Sequence, residues 1–358
     1  MKKRVLRTIW WSALFPILVL LLLSLVELQY SWINTIISFS VPFLIIIQLL
    51  LLTVGFWLQN KYLKYCLALN GIILIVYFPK LFSLNLTPNG WESQKLISVI
   101  SYNTSFFSNP GHWTSQYHST LQNNEAITTI DWLVNSSADI FCFQEFYSDS
   151  NSRIFNVIEQ FKQENRYVAL SSMYPEDIPI QSGLAIVSRF PIIKQKTIFQ
   201  DLNGFNRGMF ADVLIGIDTI RVINVHLQSM RIAEQEYPQF ELGNLYEKIR
   251  SRLSPIVNSS RKRVEQMTEI QRFVKDAPYK VILCGDFNES SVSPLFAETR
   301  THLVNTFEKS GIGFGFTTKL PLRIDHIFIS KECQSISSQV YTEVKSSFHY
   351  PIESRFSI

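Results

Sequence analysis

Two long runs without a single charged residue open this chain and limit what it can become. Thr8 to Val26 and Leu28 to Asn60 contain no Asp, Glu, Lys or Arg, and each is long enough to cross a bilayer, which takes ~20 apolar residues. A helix that is apolar all round has no polar face to offer water, so these runs do not read as core helices of a soluble domain. A third apolar segment, about Tyr62 to Leu81, is interrupted by Lys64, Asn70 and Lys80. It is expected to form a third span. A cleaved signal peptide is the competing account of the first run, but no small-residue cleavage site precedes the second.

Orientation follows from the basic residues. Lys2, Lys3, Arg4 and Arg7 precede the first run, the loop from Glu27 to Trp32 has no Lys or Arg, and Lys61 and Lys64 lie in the second loop. That asymmetry puts the N terminus inside. With three spans everything after about Asn85 lies outside, which in a bacterium means an inner-membrane protein with a periplasmic or extracytoplasmic domain. With two spans the domain would be cytoplasmic. A formal net charge of +4 over 358 residues is too small to argue for nucleic-acid binding. A transporter or channel is disfavoured, because the spans are few and lack ionisable residues at mid-depth. The four cysteines have no metal-type spacing; Cys142 and Cys284 sit in strand-like runs and are expected to be neighbouring buried thiols, with a disulfide as the alternative.

The domain reading is a membrane region over 1–85, a linker over 86–95 and one large domain over 96–358. Its strand candidates are Leu96 to Ser101, Ile140 to Phe143, Gly183 to Ser188, Met209 to Ile215, Ile220 to Val225, Val281 to Cys284 and Ile324 to Ser330. Ala126 to Asn135, Ser152 to Glu164 and Lys262 to Lys275 read as helices, the last with Val264, Met267, Ile270, Phe273 and Val274 at helical spacing. Hairpin-like strand pairs mixed with helices predict an α+β sandwich with helices covering sheets, rather than a purely parallel doubly wound sheet.

The candidates for chemistry share one placement, the C-terminal end of an apolar run. Asn103 follows Ile97 to Tyr102, Glu145 follows Ile140 to Gln144, and His226 follows Ile220 to Val225. Asp286 and Asn288 follow Val281 to Gly285. Asp286 and Asn288 are two apart, so an extended chain points them the same way. A carboxylate beside a carboxamide suits a phosphate and a hard divalent cation, because both reward oxygen ligands and amide donors. Any one of these residues alone is equally well a turn or a hydrogen-bonded structural group. Their repetition at strand ends, where ligands gather in α/β architectures, favours a site.

In chain order the blocks SYN, FQEF, SGLAIVSRFPI, NVHLQS, CGDFNES, RIDHIFIS and FHYPI resemble the endonuclease/exonuclease/phosphatase superfamily of metal-dependent phosphoesterases. The resemblance runs from about Leu96 to Ile358 and is carried by the order of seven blocks. It implies the two-sheet, four-layer α/β form of the sandwich. It implies that Glu145 is the principal metal carboxylate, with Asn103 assisting at metal and phosphate, and that the metal is Mg2+, with Mn2+ as the alternative. It further implies that Asp286 orients or deprotonates the attacking water, that Asn288 holds a phosphoryl oxygen, and that His226 stands near the scissile phosphate. Asp325 and His349 match an Asp–His pair in which the carboxylate fixes the imidazole. That pairing is sound chemistry in itself, since a carboxylate on one ring nitrogen sets the tautomer and raises the basicity of the other. Arg207, in a loop ahead of a strand, is a further candidate phosphate contact.

Two positions depart from the pattern. The family's closing Ser-Asp-His is here Ser346-Ser-Phe-His349, so Phe348 replaces a carboxylate, and Ser105 stands where abasic-site endonucleases carry an Asp. The first predicts weaker metal affinity and slower turnover, or a silent domain that only binds a phosphate ligand. The second disfavours the abasic-site branch. The expected partners are the lipid bilayer and a phosphoester, either nucleic acid or a lipid or sugar phosphate, with no obligate protein partner. Between His226 and Lys262 the chain carries Arg231, Lys248, Arg250, Arg252 and Arg261 among Glu234, Glu236, Glu241 and Glu247. These, with Lys262 and Arg263, read as a solvated helical face or as the wall of a polyanion groove.

Overall fold

A computed structural model describes residues 2–23, 31–58, 63–85, 96–108, 120–201, 205–230 and 245–358. The expected linker over 86–95, and Arg231, Glu234, Glu236 and Glu241, lie outside them. The chain divides into two units. One comprises 1–83, 230–264 and 289–297; the other comprises 84–229, 265–288 and 298–358.

The first unit is built on α1 (Lys2–Leu23), α2 (Ser31–Trp57) and α3 (Leu63–Leu81). All three are long and apolar enough to cross a membrane, the third included, despite its interruptions by Lys64, Asn70 and Lys80. Trp10, Leu14, Leu18, Ile37, Val41, Ile73 and Tyr77 pack inward, while Phe15, Leu50 and Ile75 face out. Apolar residues on both inner and outer faces are what a lipid-facing bundle needs. The same unit holds a buried polar cluster. Arg263 Nε donates to Glu289 Oε1 at 3.0 Å, the Thr35 hydroxyl donates to the same oxygen at 2.6 Å, and Ser260 Oγ lies 3.0 Å from Thr35. Arg263 is fully buried. It is thus not part of a solvated face, and its charge is tolerated because a carboxylate and hydroxyls replace its water. Arg261 and Lys262, on the same helix, are exposed.

In the second unit the predicted sandwich is present. Its strands after β1 (Ser83–Leu84) are β2 (Leu96–Asn103), β3 (Ile140–Asp149), β4 (Tyr167–Ser172), β5 (Ile180–Ser188), β6 (Ile192–Gln200), β7 (Arg207–Ile215), β8 (Asp218–His226), β9 (Lys280–Asp286), β10 (Leu303–Asn305), β11 (Ile312–Gly313), β12 (Asp325–Ser330), β13 (Gln334–Val340) and β14 (Ile352–Ser357). They form two six-stranded mixed sheets in the orders β10-β12-β9-β8-β7-β6 and β13-β14-β2-β3-β5-β4. Alternate residues of each strand fill two different cores. On β3, Ile140 and Cys142 enter the inter-sheet core with Ile186, Ala211, Val222, Ile282 and Cys284. Phe141 and Phe143 point the other way, under α4 (Thr120–Val134) and α5 (Val157–Gln163). The sheet that contains β7 is covered by the C-terminal part of α6 (Leu245–Lys275), whose Phe273 packs on Phe210 with ring centroids 5.6 Å apart. Strands buried on both faces read as continuous apolar runs, which is why they are visible in the sequence.

The helix expected from Ser152 to Glu164 is shorter, Val157–Gln163. Ser152 is tied into a turn instead, its N–H donating to the Asp149 carbonyl and its hydroxyl accepting from the Phe155 N–H. Short polar side chains compete for backbone groups in this way and delay a helix start. Cys142 and Cys284 are free thiols inside the inter-sheet core. Burial pushes the Cys142 thiol up, and its hydrogen bond with Cys284 adds to the shift.

Candidate active site

Strand register assembles most of the site. Asp325 pairs with Asp286, Asp286 with His226 and His226 with Arg207, so four chemically active side chains stand in one row across β12, β9, β8 and β7. Directly paired residues project from the same face of a sheet. The row lies where the apolar runs of β8 and β9 end. Gly285, one residue before Asp286, is required there: at φ +143° a Cβ would lie 1.9 Å from the Val225 carbonyl oxygen of the paired strand.

The other sheet contributes through an irregularity. β3 slips register against β5 between Phe143 and Phe146, and Glu145, inside this bulge, has φ 46°. A left-handed backbone is costly for a residue with a Cβ, and such strain concentrates at functional sites. The bulge is held by Thr104, whose N–H donates to the Gln144 carbonyl at 2.9 Å and whose hydroxyl donates to the Glu145 carbonyl at 2.7 Å. Asn288 is the second site residue in this conformation, at φ 50°.

These devices converge on Asp286, which is 1% exposed. Its Oδ2 accepts from Asn103 Nδ2 at 3.0 Å and lies 3.6 Å from both His226 Nε2 and His349 Nε2. Its Oδ1 accepts from the Asn288 N–H at 2.9 Å. Glu145 Oε1 is 3.4 Å from Asn103 Nδ2 and 3.7 Å from His226 Nε2. His349 Nδ1 lies 2.9 Å from Asp325 Oδ2 and 3.2 Å from Oδ1. A carboxylate only accepts, so Nδ1 carries the proton and Nε2 faces Asp286.

Two predicted residues are engaged elsewhere. The Asn288 amide donates to the Leu227 carbonyl at 3.0 Å, while Arg207 Nη1 donates to the Ser172 carbonyl and Gln200 Oε1, each at 3.1 Å. Burial lowers the Arg207 pKa. Arg207 shares the row, but its guanidinium serves as a brace between strands.

Electrostatics set the state of the Asp325–His349 pair. Burial works against an imidazolium at His349, but Asp325, Asp286 and Glu145 outweigh it and raise the pKa to about 10. Burial raises the Asp325 carboxyl, reinforced by Asp286 and opposed by His349. His349 is therefore poised as a proton donor. His226 differs: its buried Nδ1 has no hydrogen-bond partner among the described residues.

Asp286, Asp325 and His349 lie close enough to hold an ion together. The short Asp325–His349 contact commits those two groups to each other, which makes them a poor ligand set. Glu145 fits a hard cation better. Its side chain is 23% exposed, the most open carboxylate of the group, and the side-chain oxygen of its neighbour Asn103, Oδ1, is a second oxygen ligand of the kind such a cation takes. Asn103 Oδ1 accepts from the Ser105 N–H at 3.1 Å.

Several supporting residues carry no sequence signal. Ser347 Oγ donates to the Asn103 carbonyl at 2.7 Å and accepts from the His349 N–H at 3.0 Å, fixing the two loops together. Gln144 Nε2 donates to Asn224 Oδ1 at 2.7 Å, and Asn224 Nδ2 donates to the Phe143 and Ala185 carbonyls, joining the two sheets behind the site. A Ser or Asn in a strand looks like an ordinary polar interruption, so only the fold reveals them. Phe348 is 46% exposed with its ring 6.0 Å from that of His349.

Similar folds occur among solved structures. An endonuclease/exonuclease/phosphatase from Bacteroides vulgatus aligns at TM-score 0.51 and 12% identity, covering 74% of this chain and all of that one. One from Beutenbergia cavernae aligns at 0.50 and 14%, covering 74% and 72%. ANGEL2, described as a 2',3'-cyclic phosphatase, aligns at 0.50 and 15%, covering 74% and 96%. No curated protein matches. Residues 100–347 match the model of the Endonuclease/Exonuclease/phosphatase family, a span that contains every block of the site up to Ser347, and with that match and the shared fold the chain belongs to this family.

Proposed function

We propose that this protein is a membrane-anchored, divalent-metal-dependent phosphoesterase that cleaves its substrate by in-line attack of water on phosphorus. The observation that carries the reading is the convergence of Asn103, His226 and His349 on Asp286, with Glu145 beside Asn103 and His226, where residues from both sheets meet. Asp286, held by Asn103 and the Asn288 N–H, is positioned to orient a water and take its proton. His349, protonated and fixed by Asp325, donates from Nε2 to a phosphoryl or leaving oxygen. His226 contributes a second donor on the opposite side of Asp286. Glu145 and Asn103 would hold Mg2+ or Mn2+, which supplies charge neutralisation on the phosphoryl oxygens. No covalent intermediate on the protein is needed.

The substrate is a nucleic acid or a lipid or sugar phosphate. Purified full-length protein in detergent, assayed on DNA, RNA, phospholipids and sugar phosphates with Mg2+ and with a chelator, tests the reading. Metal-dependent release of product from one class, lost in Glu145→Ala and His349→Ala, is expected; silence on all of them would leave a phosphate-binding domain weakened by Phe348. The basic residues ahead of α1 favour a cytoplasmic N terminus and an extracytoplasmic site, in a bacterium on the periplasmic side of the inner membrane. A reporter fused after Asn85 that scored as cytoplasmic would reverse that assignment.

A further inference from the structure

The segment before Asp325 exposes a row of large apolar side chains. Ile312, Phe314 and Phe316 alternate with Gly313 and Gly315, both at positive φ, and are 66%, 50% and 38% exposed; Leu320, just beyond, is 56% exposed. All four apolar side chains are offered to the surface. The segment is built, not loose. The Phe314 and Phe316 rings stack with centroids 5.3 Å apart and 9° between planes, and Arg323 Nη1 donates to the Phe314 carbonyl at 3.2 Å. Gly315 is obligatory, since a Cβ there would lie 2.2 Å from the Phe307 ring and its φ is +61°.

This face adjoins the candidate active site. Thr318 bridges to His349, the Lys319 N–H donates to the Phe348 carbonyl at 3.1 Å, and the Tyr350 N–H donates to the Thr317 carbonyl at 2.7 Å. Phe348 adds its exposed ring to the row. An apolar rim beside a charged site calls for a ligand with an apolar part and a phosphate part. Contiguous exposed aromatics and aliphatics are unfavourable in water and mark interaction surfaces. Nucleobases stack on aromatic rings, but Ile312 and Leu320 provide no such platform, and Lys319 is the segment's one exposed cation, Arg323 being buried. Aromatic rings with a flanking lysine suit the headgroup region of a bilayer. The chain itself carries the helices that would enter a bilayer: α3 ends at Leu81 and the unit that holds this surface begins at Leu84, so the surface is covalently tethered to any membrane those helices cross. At its own edge, the Asn85 N–H donates to the Gly311 carbonyl at 3.3 Å.

We infer that Ile312, Phe314, Phe316, Leu320 and Phe348 form a lipid-docking surface, and that the ester cleaved is carried on the headgroup of a membrane lipid. The second half rests on the phosphoesterase reading; the first does not. The full-length chain is reconstituted in vesicles of phosphatidylcholine and phosphatidylglycerol, with Leu320→Cys labelled by an environment-sensitive fluorophore. Blue-shifted emission that brominated lipids quench is expected, and emission at its aqueous value without quenching overturns docking. In parallel, hydrolysis of vesicle phospholipid is compared with that of soluble bis(p-nitrophenyl) phosphate. Replacing Phe314, Phe316 and Leu320 by Ser should lower the lipid-to-soluble rate ratio about tenfold or more, because remote binding energy is lost. An unchanged ratio, or preferential loss of oligonucleotide hydrolysis, overturns the lipid assignment. Docking without hydrolysis of any ester removes the phosphoesterase reading and leaves the docking surface standing.

Discussion

The two sheets of the sandwich build the site by opposite means. One supplies Asp325, Asp286 and His226 by regular register, with paired residues side by side on adjacent strands. The other supplies Glu145 by breaking register, through a bulge that holds a left-handed backbone. Regular pairing needs only strands of the right length and costs nothing extra. A bulge re-aims one side chain at an energetic cost that the surrounding hydrogen bonds must offset. The difference separates roles. On the proposed mechanism the regular row carries the water-orienting Asp286, His226 and the carboxylate that fixes His349, while the strained position carries the more accessible carboxylate that would hold the cation.

The largest test of that division is Glu145→Ala, which should reduce metal-dependent turnover about 10³-fold, ~4 kcal/mol of transition-state stabilisation, with little change in thermal stability. A much smaller loss would move the metal to the regular row. Asp325→Asn should cost about 10²-fold in turnover, because it leaves the imidazole in place without its orienting carboxylate; proton NMR would show the His349 pKa falling. Gly285→Ala attacks the regular sheet itself. With backbone of β8 only 1.9 Å from the added carbon, the strands must part, and chemical denaturation should show a loss of about 3 kcal/mol. An unaffected Gly285→Ala protein would mean that the register is not as tight as the row requires.

A pH titration of stability probes the same row with a smaller effect. Burial opposes the His349 charge but the carboxylates of Asp325, Asp286 and Glu145 prevail, so the folded pKa of about 10 lies above the ordinary 6.5. Such a group contributes stability in full below about pH 6.5, and the contribution is lost as pH rises through about 10. His349→Ala should flatten that part of the profile, as read by thermal melting from pH 6 to 10. Smallest is Phe348→Asp, which restores the family's carboxylate and should raise apparent Mg2+ affinity severalfold; a rise in turnover from near zero would instead identify the natural protein as silent.

Much of the regular row was legible in the sequence, because strands buried on both faces write themselves as apolar runs that stop where the polar groups begin. Asp286 after Val281 to Gly285 is the clearest case. The bulge was not legible: Phe-Gln-Glu-Phe-Tyr continues β3 without a break, and nothing local announces that Glu145 turns aside. Peripheral β4 and β13 were missed since Tyr167–Ser172 and Gln334–Val340 mix serine and exposed positions with few buried apolar ones. Arg263 looked like one more charge on a solvated helix, and only its bonds to Glu289 in the folded unit show otherwise. Arg207 read as a loop residue reaching for phosphate, but it opens β7 and its guanidinium ties to Ser172 and Gln200, because a sequence pattern says where a side chain starts and not where a long one ends.

The most direct test is a Mg2+ titration of phosphodiester hydrolysis by the full-length protein, run beside Glu145→Ala and Asp286→Asn. Saturable activation of the unmodified protein is predicted, with Glu145→Ala losing metal activation and Asp286→Asn retaining metal binding by calorimetry while losing turnover. Equal activity of all three proteins, or activation by Mg2+ that survives Glu145→Ala, would contradict the division of labour between the two sheets.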